Sequence, residues 1–328
     1  MTSSNLKSRC LIGILGLLSL LPSSIEASTF DRIVVFGGST SDSGNAFALL
    51  NFAHRPPYDQ FDLDQSLIPS GPYSLGGNHF TNGATWIEQF GRGTGLGGSV
   101  RPAFASSNPH ATNYAVGAAR ATDDGINLNL PQQVAAFLND FNNVAPAEAL
   151  YVIDFGGNDV RDALVADDPQ AVLENALASI AEHIQLLYAS GARNILVLNV
   201  ADIGALPAVG ILDNSFPGAA LAATFLTVVF NSQLDNILAF LGALPDIKIT
   251  LLDLFQNVNQ MIANPSTFGL TQVEQVCITP NVPPFSCKNP DQFLFWDGVH
   301  ATKAVHAFFA VQAANVLGTE LRDVRPAR

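Results

Sequence analysis

Four short apolar segments, separated by stretches with helical periodicity, constrain the fold of this 328-residue chain most strongly. The segments are rich in β-branched residues and cover 32–36, 149–155, 194–200 and 247–254. Apolar residues recur at helical spacing over 169–190, and further long helices are predicted over 219–241 and 301–317. Strands that alternate with amphipathic helices favour a parallel sheet covered on both faces. We therefore predict an α/β fold: a three-layer α/β/α sandwich with a mainly parallel, flavodoxin-like central sheet.

The first 27 residues have the pattern of a signal peptide. Lys7 and Arg9 precede an apolar stretch over 10–21, which is too short to span a membrane. The segment 22–27 leads to the small residue Ala27, which suits cleavage, and an uncleaved N-terminal anchor is the alternative. No linker, charge block or repeat divides residues 28–328, so a single domain is expected there. The mature protein would be secreted, either periplasmic or extracellular.

The charge of the chain limits its partners. The formal net charge of −13 argues against binding to nucleic acid and against electrostatic docking on anionic membranes. The longest apolar run, 218–230, ends at Asn231 and is too short to span a bilayer. No stable membrane span is expected after signal cleavage.

Two cysteines remain beyond the predicted signal peptide. Cys277 and Cys287 lie ten residues apart in a proline-rich segment, which in an exported protein favours one local disulfide. A pair of buried free thiols is the alternative. The sequence contains no CxxC, no HExxH and no histidine cluster with ligand spacing, so neither a metal nor a cofactor is expected.

Two fragments at opposite ends of the chain contain the residue types of a nucleophile, a base and an orienting group. Ser39 lies in the glycine-rich turn FGGSTSDSGN directly after the first apolar strand. Asp297 and His300 lie three residues apart near the C-terminus. Singly, these residues are typical of a turn, a helix cap and a helix entry. At this spacing the carboxylate can accept from one imidazole nitrogen and leave the other to face a serine.

Acyl transfer also needs hydrogen-bond donors directed at the developing oxyanion. Asn158, in the segment FGGND after the second strand, can donate from its side chain. The tight turn NYAVGAA, which contains Gly117 and Ala118, offers backbone amides. Each could equally be an ordinary loop turn. The sequence has no GxSxG, which argues against an α/β-hydrolase nucleophile elbow.

Together these segments resemble the GDSL (SGNH) hydrolase family. The further segments HFTNG (79–83), NPSTFGL (264–270) and NPDQFLFW (289–296) resemble its plant-type and hemolysin/lecithinase-like branch. FGGSTSDSGN, NYAVGAA, FGGND and FWDGVH resemble the four blocks of that family, in its order, across nearly the whole mature chain. The resemblance implies that Ser39 is the nucleophile, His300 the base and Asp297 its orienting residue. It places the oxyanion hole at the Ser39 amide, at the amide of Gly117 or Ala118, and at the Asn158 side chain.

Three residues depart from the family pattern, among them Thr40, which stands where leucine is usual. Gly38 stands where the family name has aspartate, which removes a carboxylate that could brace the nucleophile turn. Ala118 stands where the second glycine of the NYAVGAA block is usual. Since the backbone amide of any residue can donate, this substitution concerns the space at the turn and not its hydrogen-bonding chemistry.

The resemblance implies a GDSL-type serine esterase or lipase that hydrolyses carboxylic esters through an acyl-Ser39 intermediate, with an ester or lipid as its substrate. A phospholipase, or an acyltransferase that uses an acceptor alcohol in place of water, would use the same three residues. A secreted binding protein on a catalytically decayed scaffold is the alternative from another class, motivated by Gly38.

Overall fold

The computed structural model describes residues 30–50, 67–74, 76–105, 108–280 and 282–322. The predicted signal peptide, 1–27, lies outside the described residues. The described strands are β1 (Arg32–Gly37), β2 (Ala149–Asp154), β3 (Asn194–Leu198), β4 (Lys248–Leu252), β5 (Gln272–Val276) and β6 (Phe293–Phe295). The described α-helices are α1 (Asn45–Leu50), α2 (Trp86–Thr94), α3 (Leu130–Asp140), α4 (Gly157–Ala163), α5 (Pro169–Ala189), α6 (Pro207–Ser215), α7 (Ala219–Leu241), α8 (Leu254–Ala263) and α9 (Lys303–Leu317).

The central sheet is parallel, with the strand order β1-β2-β3-β4. The extended segment 112–116 runs parallel along the free edge of β1, where the Val35 amide donates to Thr112 and the Tyr114 amide donates to Val35. With that segment counted, the spatial order of the five stretches is 2-1-3-4-5 in chain numbering. This is the order of flavodoxin-like sheets.

Helices cover both faces of the sheet. On one face α2 packs against α9, and α9 lies next to β4; on the other, α5 packs between α3 and α7. The interior of β1 and nearly all of β2 are buried, because a strand between two helical layers has no solvent-facing side. The predicted three-layer α/β/α architecture is confirmed.

The element ends differ slightly from those predicted. The third strand ends at Leu198, and the side chain of the next residue, Asn199, donates a 2.8 Å hydrogen bond to Asp253. The last helix begins at Lys303, with Thr302 as its extended N-cap. Such differences leave the topology unchanged.

Helix α7 has the length and composition of a membrane span, with a mean hydropathy of 1.2 over its most apolar window. A third of that window is buried inside the protein, and Phe230 and Leu234 of this helix belong to the core. A core helix of a soluble domain passes the same length and hydropathy test, so this helix is weak evidence for a membrane span.

A small parallel pair, β5 and β6, lies beside the main sheet. Cys277 directly follows β5, and a disulfide joins it to Cys287. The bond closes a ten-residue loop that leads back towards β6.

Candidate active site

The fold brings the two distant fragments to the carboxyl edge of the sheet. Ser39 lies two residues after the end of β1. Asp297 and His300 lie in the short connection between β6 and α9. Ligands of open parallel sheets bind at this edge, where the loops after neighbouring strands meet.

Ser39, His300 and Asp297 form a continuous hydrogen-bonded chain. His300 Nε2 lies 2.9 Å from Ser39 Oγ. On the other side of the ring, His300 Nδ1 lies 2.8 Å from Asp297 Oδ2 and 3.0 Å from Oδ1. These distances are within hydrogen-bonding range without any rearrangement of the site.

Asp297 is fully buried and accepts from several donors at once. Its Oδ1 accepts from the backbone amides of Val299 at 2.9 Å and His300 at 2.8 Å. Its Oδ2 accepts from the hydroxyl of Tyr73 at 2.8 Å. An acceptor-only carboxylate next to Nδ1 favours the tautomer with the hydrogen on that atom, so Nε2 of the neutral ring can accept from Ser39.

The imidazole is also held by packing. The Phe80 ring lies against His300, with 5.2 Å between the ring centroids. Phe80 can occupy this position only because residue 117 is glycine: a Cβ there would lie 2.2 Å from the Phe80 ring. Gly117 therefore contributes to the site through its missing side chain.

The two candidate backbone amides in the turn NYAVGAA, those of Gly117 and Ala118, differ in their hydrogen bonding. The Gly117 amide is buried and donates a 2.8 Å hydrogen bond to Asp42 Oδ2, so its hydrogen is already engaged. Ala118 is exposed and has a left-handed backbone with φ of 67°. Of the pair, Ala118 is the residue whose amide remains available for an oxyanion hole.

The Asn158 side chain is fixed in orientation by its neighbours. Its Nδ2 donates to the Ala119 carbonyl at 2.8 Å, and its Oδ1 accepts from Arg161 at 3.1 Å. An amide nitrogen carries two hydrogens, so one remains for a ligand. Asn158 lines the same pocket as Ser39 and His300.

Apolar side chains form much of the remaining pocket wall. They are Phe155, Val200, Ile203, Leu206, Leu254 and Val299. A larger cavity of about 420 Å³ lies near Arg32 and Tyr114, and none of Ser39, His300 and Asp297 lines it.

Sequence reasoning missed two residues that support the site. One is Tyr73, which contacts Asp297 from a segment without regular structure. The other is Asp42, a buried carboxylate whose two oxygens accept from the amides of Gly44, Asn45, Ala46 and Gly117. Asp42 lies within the nucleophile block itself, and an aspartate followed by Ser-Gly-Asn is a signal for such a turn.

His306 is not a second base at this site. It is buried on α9, and its Nδ1 accepts from the Trp86 amide at 3.1 Å. Burial lowers the pKa of His306 to about 3, with nearby His300 acting in the same direction. A neutral imidazole at this position serves the packing of α2 against α9.

The fold and the site define the class: an α/β protein with a serine, a histidine and a buried aspartate in one hydrogen-bonded chain. The family model of the GDSL-like lipase/acylhydrolases matches residues 33–312. The chain therefore belongs to that family and is a carboxylic ester hydrolase, which confirms the resemblance drawn from its four blocks.

Relatives of this kind occur in Arabidopsis thaliana. The chain is 25% identical to GDSL esterase/lipase At4g30140 over 313 residues, covering 86% of each protein. It is 26% identical to GDSL esterase/lipase At1g71691 over 335 residues, covering 89% of this chain and 84% of the relative. Among solved structures it is similar to LAE5, an alpha/beta hydrolase enzyme from the metagenome of Lake Arreo, Spain, with a TM-score of 0.47 and 14% identity, covering 89% of this chain and 96% of that one.

Proposed function

We propose that the protein is an exported esterase or lipase that cleaves acyl esters through an acyl-Ser39 intermediate. The observation that carries this proposal is the unbroken chain from Ser39 Oγ through both nitrogens of His300 to Asp297. Serine needs an adjacent base to become a nucleophile, and the base needs an orienting partner. Residues 28–328 would form the single hydrolase domain that contains all three.

The chemistry follows from the positions of the atoms. His300 Nε2 takes the hydroxyl proton as Ser39 Oγ attacks the ester carbonyl carbon. Asp297 stabilises the imidazolium that forms and keeps the ring in place. The imidazolium then gives its proton to the leaving alkoxide, and the acyl group remains on Ser39. Water repeats the cycle with the acyl-enzyme and releases the carboxylic acid.

The oxyanion of each tetrahedral intermediate would be held by three donors. These are the backbone amides of Ser39 and Ala118 and the free amide hydrogen of Asn158. Fixed donors of this kind stabilise charge that develops only in the transition state, and each is worth roughly 3 kcal/mol.

The substrate is an ester with an apolar acyl part. This is supported by the apolar wall formed by Ile203, Leu206 and Leu254 beside the catalytic serine. The family of the chain and the names of its plant relatives, GDSL esterase/lipases, support the same class. Export is supported by the charge and apolar pattern of the first 27 residues and by the disulfide between Cys277 and Cys287.

A fluorophosphonate probe tests the nucleophile directly. The wild-type protein should be labelled at Ser39, as read by mass spectrometry of the modified peptide, and Ser39→Ala should not be labelled. Ser179→Ala is a matched control, because the hydroxyl of Ser179, on α5, donates to the Ala121 carbonyl and does not line the pocket that contains Ser39. This variant should label like the wild type. Labelling that persists in Ser39→Ala, or a wild type that is not labelled at Ser39, would show that the proposed function is wrong.

A further inference from the structure

The turn that contains Ser39 is held at both ends by one residue of the neighbouring strand. Asp154, the last residue of β2, pairs with Gly37 in the parallel register. Its backbone oxygen accepts from the Gly38 amide at 3.2 Å, and its Oδ2 accepts from the Ser41 hydroxyl at 2.6 Å. The Ser41 amide donates to the Gly38 carbonyl at 3.2 Å and closes the turn. Ser39 thus lies between two anchor points that Asp154 provides.

Trp86 sets the direction of the hydrogen bond between Ser41 and Asp154. Its buried indole Nε1, which can only donate, lies 2.9 Å from Ser41 Oγ. Ser41 therefore accepts from Trp86, and its single hydroxyl hydrogen is directed to Asp154. A hydroxyl that donates to an ionised carboxylate makes one of the stronger hydrogen bonds in proteins.

The local sequence makes room for this carboxylate. A Cβ at Gly37 would lie 2.9 Å from the Cβ of Asp154, so only glycine lets the two strands end side by side here. A Cβ at Gly38, in contrast, would meet nothing nearer than 3.8 Å. Space therefore does not require glycine at position 38, and the carboxylate beside the turn comes from β2 instead.

Asp154 is a partly buried acid that takes no part in the hydrogen-bonded chain from Ser39 to Asp297. Burial raises the pKa of Asp154 to about 6, while the Ser41 hydrogen bond acts in the opposite direction. Asp154 also lines the pocket that contains Ser39 and His300. Acids with strongly shifted pKa values concentrate at functional sites, because their burial destabilises the fold and needs a compensating role.

We propose that Asp154 is the positioning residue of the nucleophile turn: through Ser41, its carboxylate fixes the geometry in which Ser39 faces His300. It supplies from the neighbouring strand the bracing carboxylate that Gly38 lacks. This inference rests on the proposed role of Ser39 as nucleophile. Because Asp154 acts on the geometry of attack, it affects kcat more than the affinity for the ester.

A double-mutant cycle on a short-chain p-nitrophenyl ester tests the proposal. Asp154→Ala removes the acceptor and Ser41→Ala removes the donor, and each should lower kcat by roughly 10- to 100-fold, the effect of a misplaced reacting atom. KM should stay within about threefold of wild type, because the interaction is not with substrate. The double variant should be no slower than the slower single variant, because both remove the same hydrogen bond. Asp154→Asn keeps an acceptor oxygen and should retain most of the wild-type kcat.

Asp140→Ala is the matched control. Asp140 also accepts from a hydroxyl, that of Tyr114 at 2.8 Å, but it lines the larger cavity, which none of Ser39, His300 and Asp297 lines, so kcat should be unchanged. A wild-type kcat in both Asp154→Ala and Ser41→Ala would overturn the proposal, and so would losses in kcat that multiply in the double variant. In either case an inactive Ser39→Ala would still support the esterase function. An active Ser39→Ala would instead overturn the proposed function. If Asp154→Ala does not fold, Ser41→Ala and Asp154→Asn test the proposal without it. The proposal then requires that Ser41→Ala lowers kcat and that Asp154→Asn retains most of the wild-type kcat.

Discussion

The hydroxyl of Tyr73 and the Nδ1 of His300 both lie 2.8 Å from the same oxygen of Asp297, Oδ2. Tyr73 is fixed there by packing, because its ring meets Trp296 edge-on at 5.9 Å between the centroids. A carboxylate with this many donors cannot rotate without breaking several hydrogen bonds. Tyr73 therefore extends the hydrogen-bonded chain of Ser39, His300 and Asp297 by one residue.

Tyr73→Phe removes only the hydroxyl and keeps the ring. We expect kcat to fall by about tenfold, because a charge-assisted hydrogen bond of roughly 1.5 kcal/mol or more no longer orients Asp297. KM should change little. Tyr188→Phe, which removes an exposed hydroxyl bonded to Pro245, should leave kcat unchanged in the same assay. A Tyr73→Phe enzyme with wild-type kcat would show that the backbone amides suffice to hold the carboxylate.

Gly117→Ala should impair the enzyme through Phe80. The added methyl group would fall within 2.3 Å of two atoms of the Phe80 ring, so the ring must move, and with it the surface that supports His300. We expect kcat to fall by at least about tenfold while circular dichroism shows a folded protein. Gly210→Ala is the control, because residue 210 lies in α6 with nothing within 4 Å of the new methyl group. That variant should keep its kcat and gain about 0.5–1 kcal/mol in unfolding free energy. A Gly117→Ala enzyme as active as Gly210→Ala would show that Phe80 does not position the histidine.

Residues near one another in the chain could be predicted, and those joined only by the fold could not. The β-branched segments and the Asp-x-x-His spacing are local patterns, so β1 to β4 and the relation of Asp297 to His300 could be derived from them. Tyr73 is 224 positions from Asp297, and Asp154 is 113 from Ser41. No periodicity encodes such pairs, because the packing of separate loops creates them.

Several elements of the fold are not predicted by the sequence, and for two of them the physical reason is plain. The sequence NYAVGAA, which begins at Asn113, predicts a turn, but the segment 112–116 extends the sheet along β1. A five-residue stretch of mixed polarity has no clear strand pattern. Strand β5 has the sequence QVEQV, is largely solvent-accessible, and pairs with the three-residue strand β6. A short, half-exposed strand forms because a neighbouring strand pairs with it, so its own composition does not predict it.

Ala118→Gly should stabilise the protein. Ala118 has a φ of 67°, and this left-handed conformation costs an L-residue about 1–2 kcal/mol that glycine avoids. Glycine loses more chain entropy on folding, so we expect a net gain of about 0.5–1 kcal/mol in unfolding free energy from urea titrations. Because the Ala118 side chain is exposed, little packing is lost. Ala222→Gly, at an exposed position inside α7, should instead lose about 1 kcal/mol. A loss in Ala118→Gly similar to that in Ala222→Gly would mean that the left-handed residue is not strained.

Asp159, next to Asn158 in α4, is a further acid whose pKa is raised by burial. It is 1% exposed, and both of its oxygens lie 3.1 Å from the Ala121 amide. Burial raises the pKa of Asp159 from 3.8 to about 6, and the hydrogen bond from Ala121 opposes this increase only in part. The folded protein therefore binds the proton more tightly than the unfolded chain does.

This shift predicts the pH dependence of an Asp159→Asn variant. Because the folded pKa lies above the unfolded one, the proton stabilises the fold fully below about pH 4, and that stabilisation is lost as the pH rises to about 6. Asparagine does not titrate. Between pH 4 and pH 7 the unfolding free energy of Asp159→Asn should therefore rise relative to wild type, by about 3 kcal/mol at most. Urea titrations of both proteins at fixed ionic strength measure the difference. Asp124→Asn should differ from wild type in another pH range: burial favours the neutral acid, but hydrogen bonds from the amides of Asn127 and Ile126, together with the side chains of Asn127 and Asn129, outweigh it and hold the pKa of Asp124 well below its usual value, so the stabilisation by its ionised carboxylate is lost only as the pH falls below about 4. A difference between Asp159→Asn and wild type that stays constant with pH would mean that Asp159 titrates alike in the folded and unfolded chains.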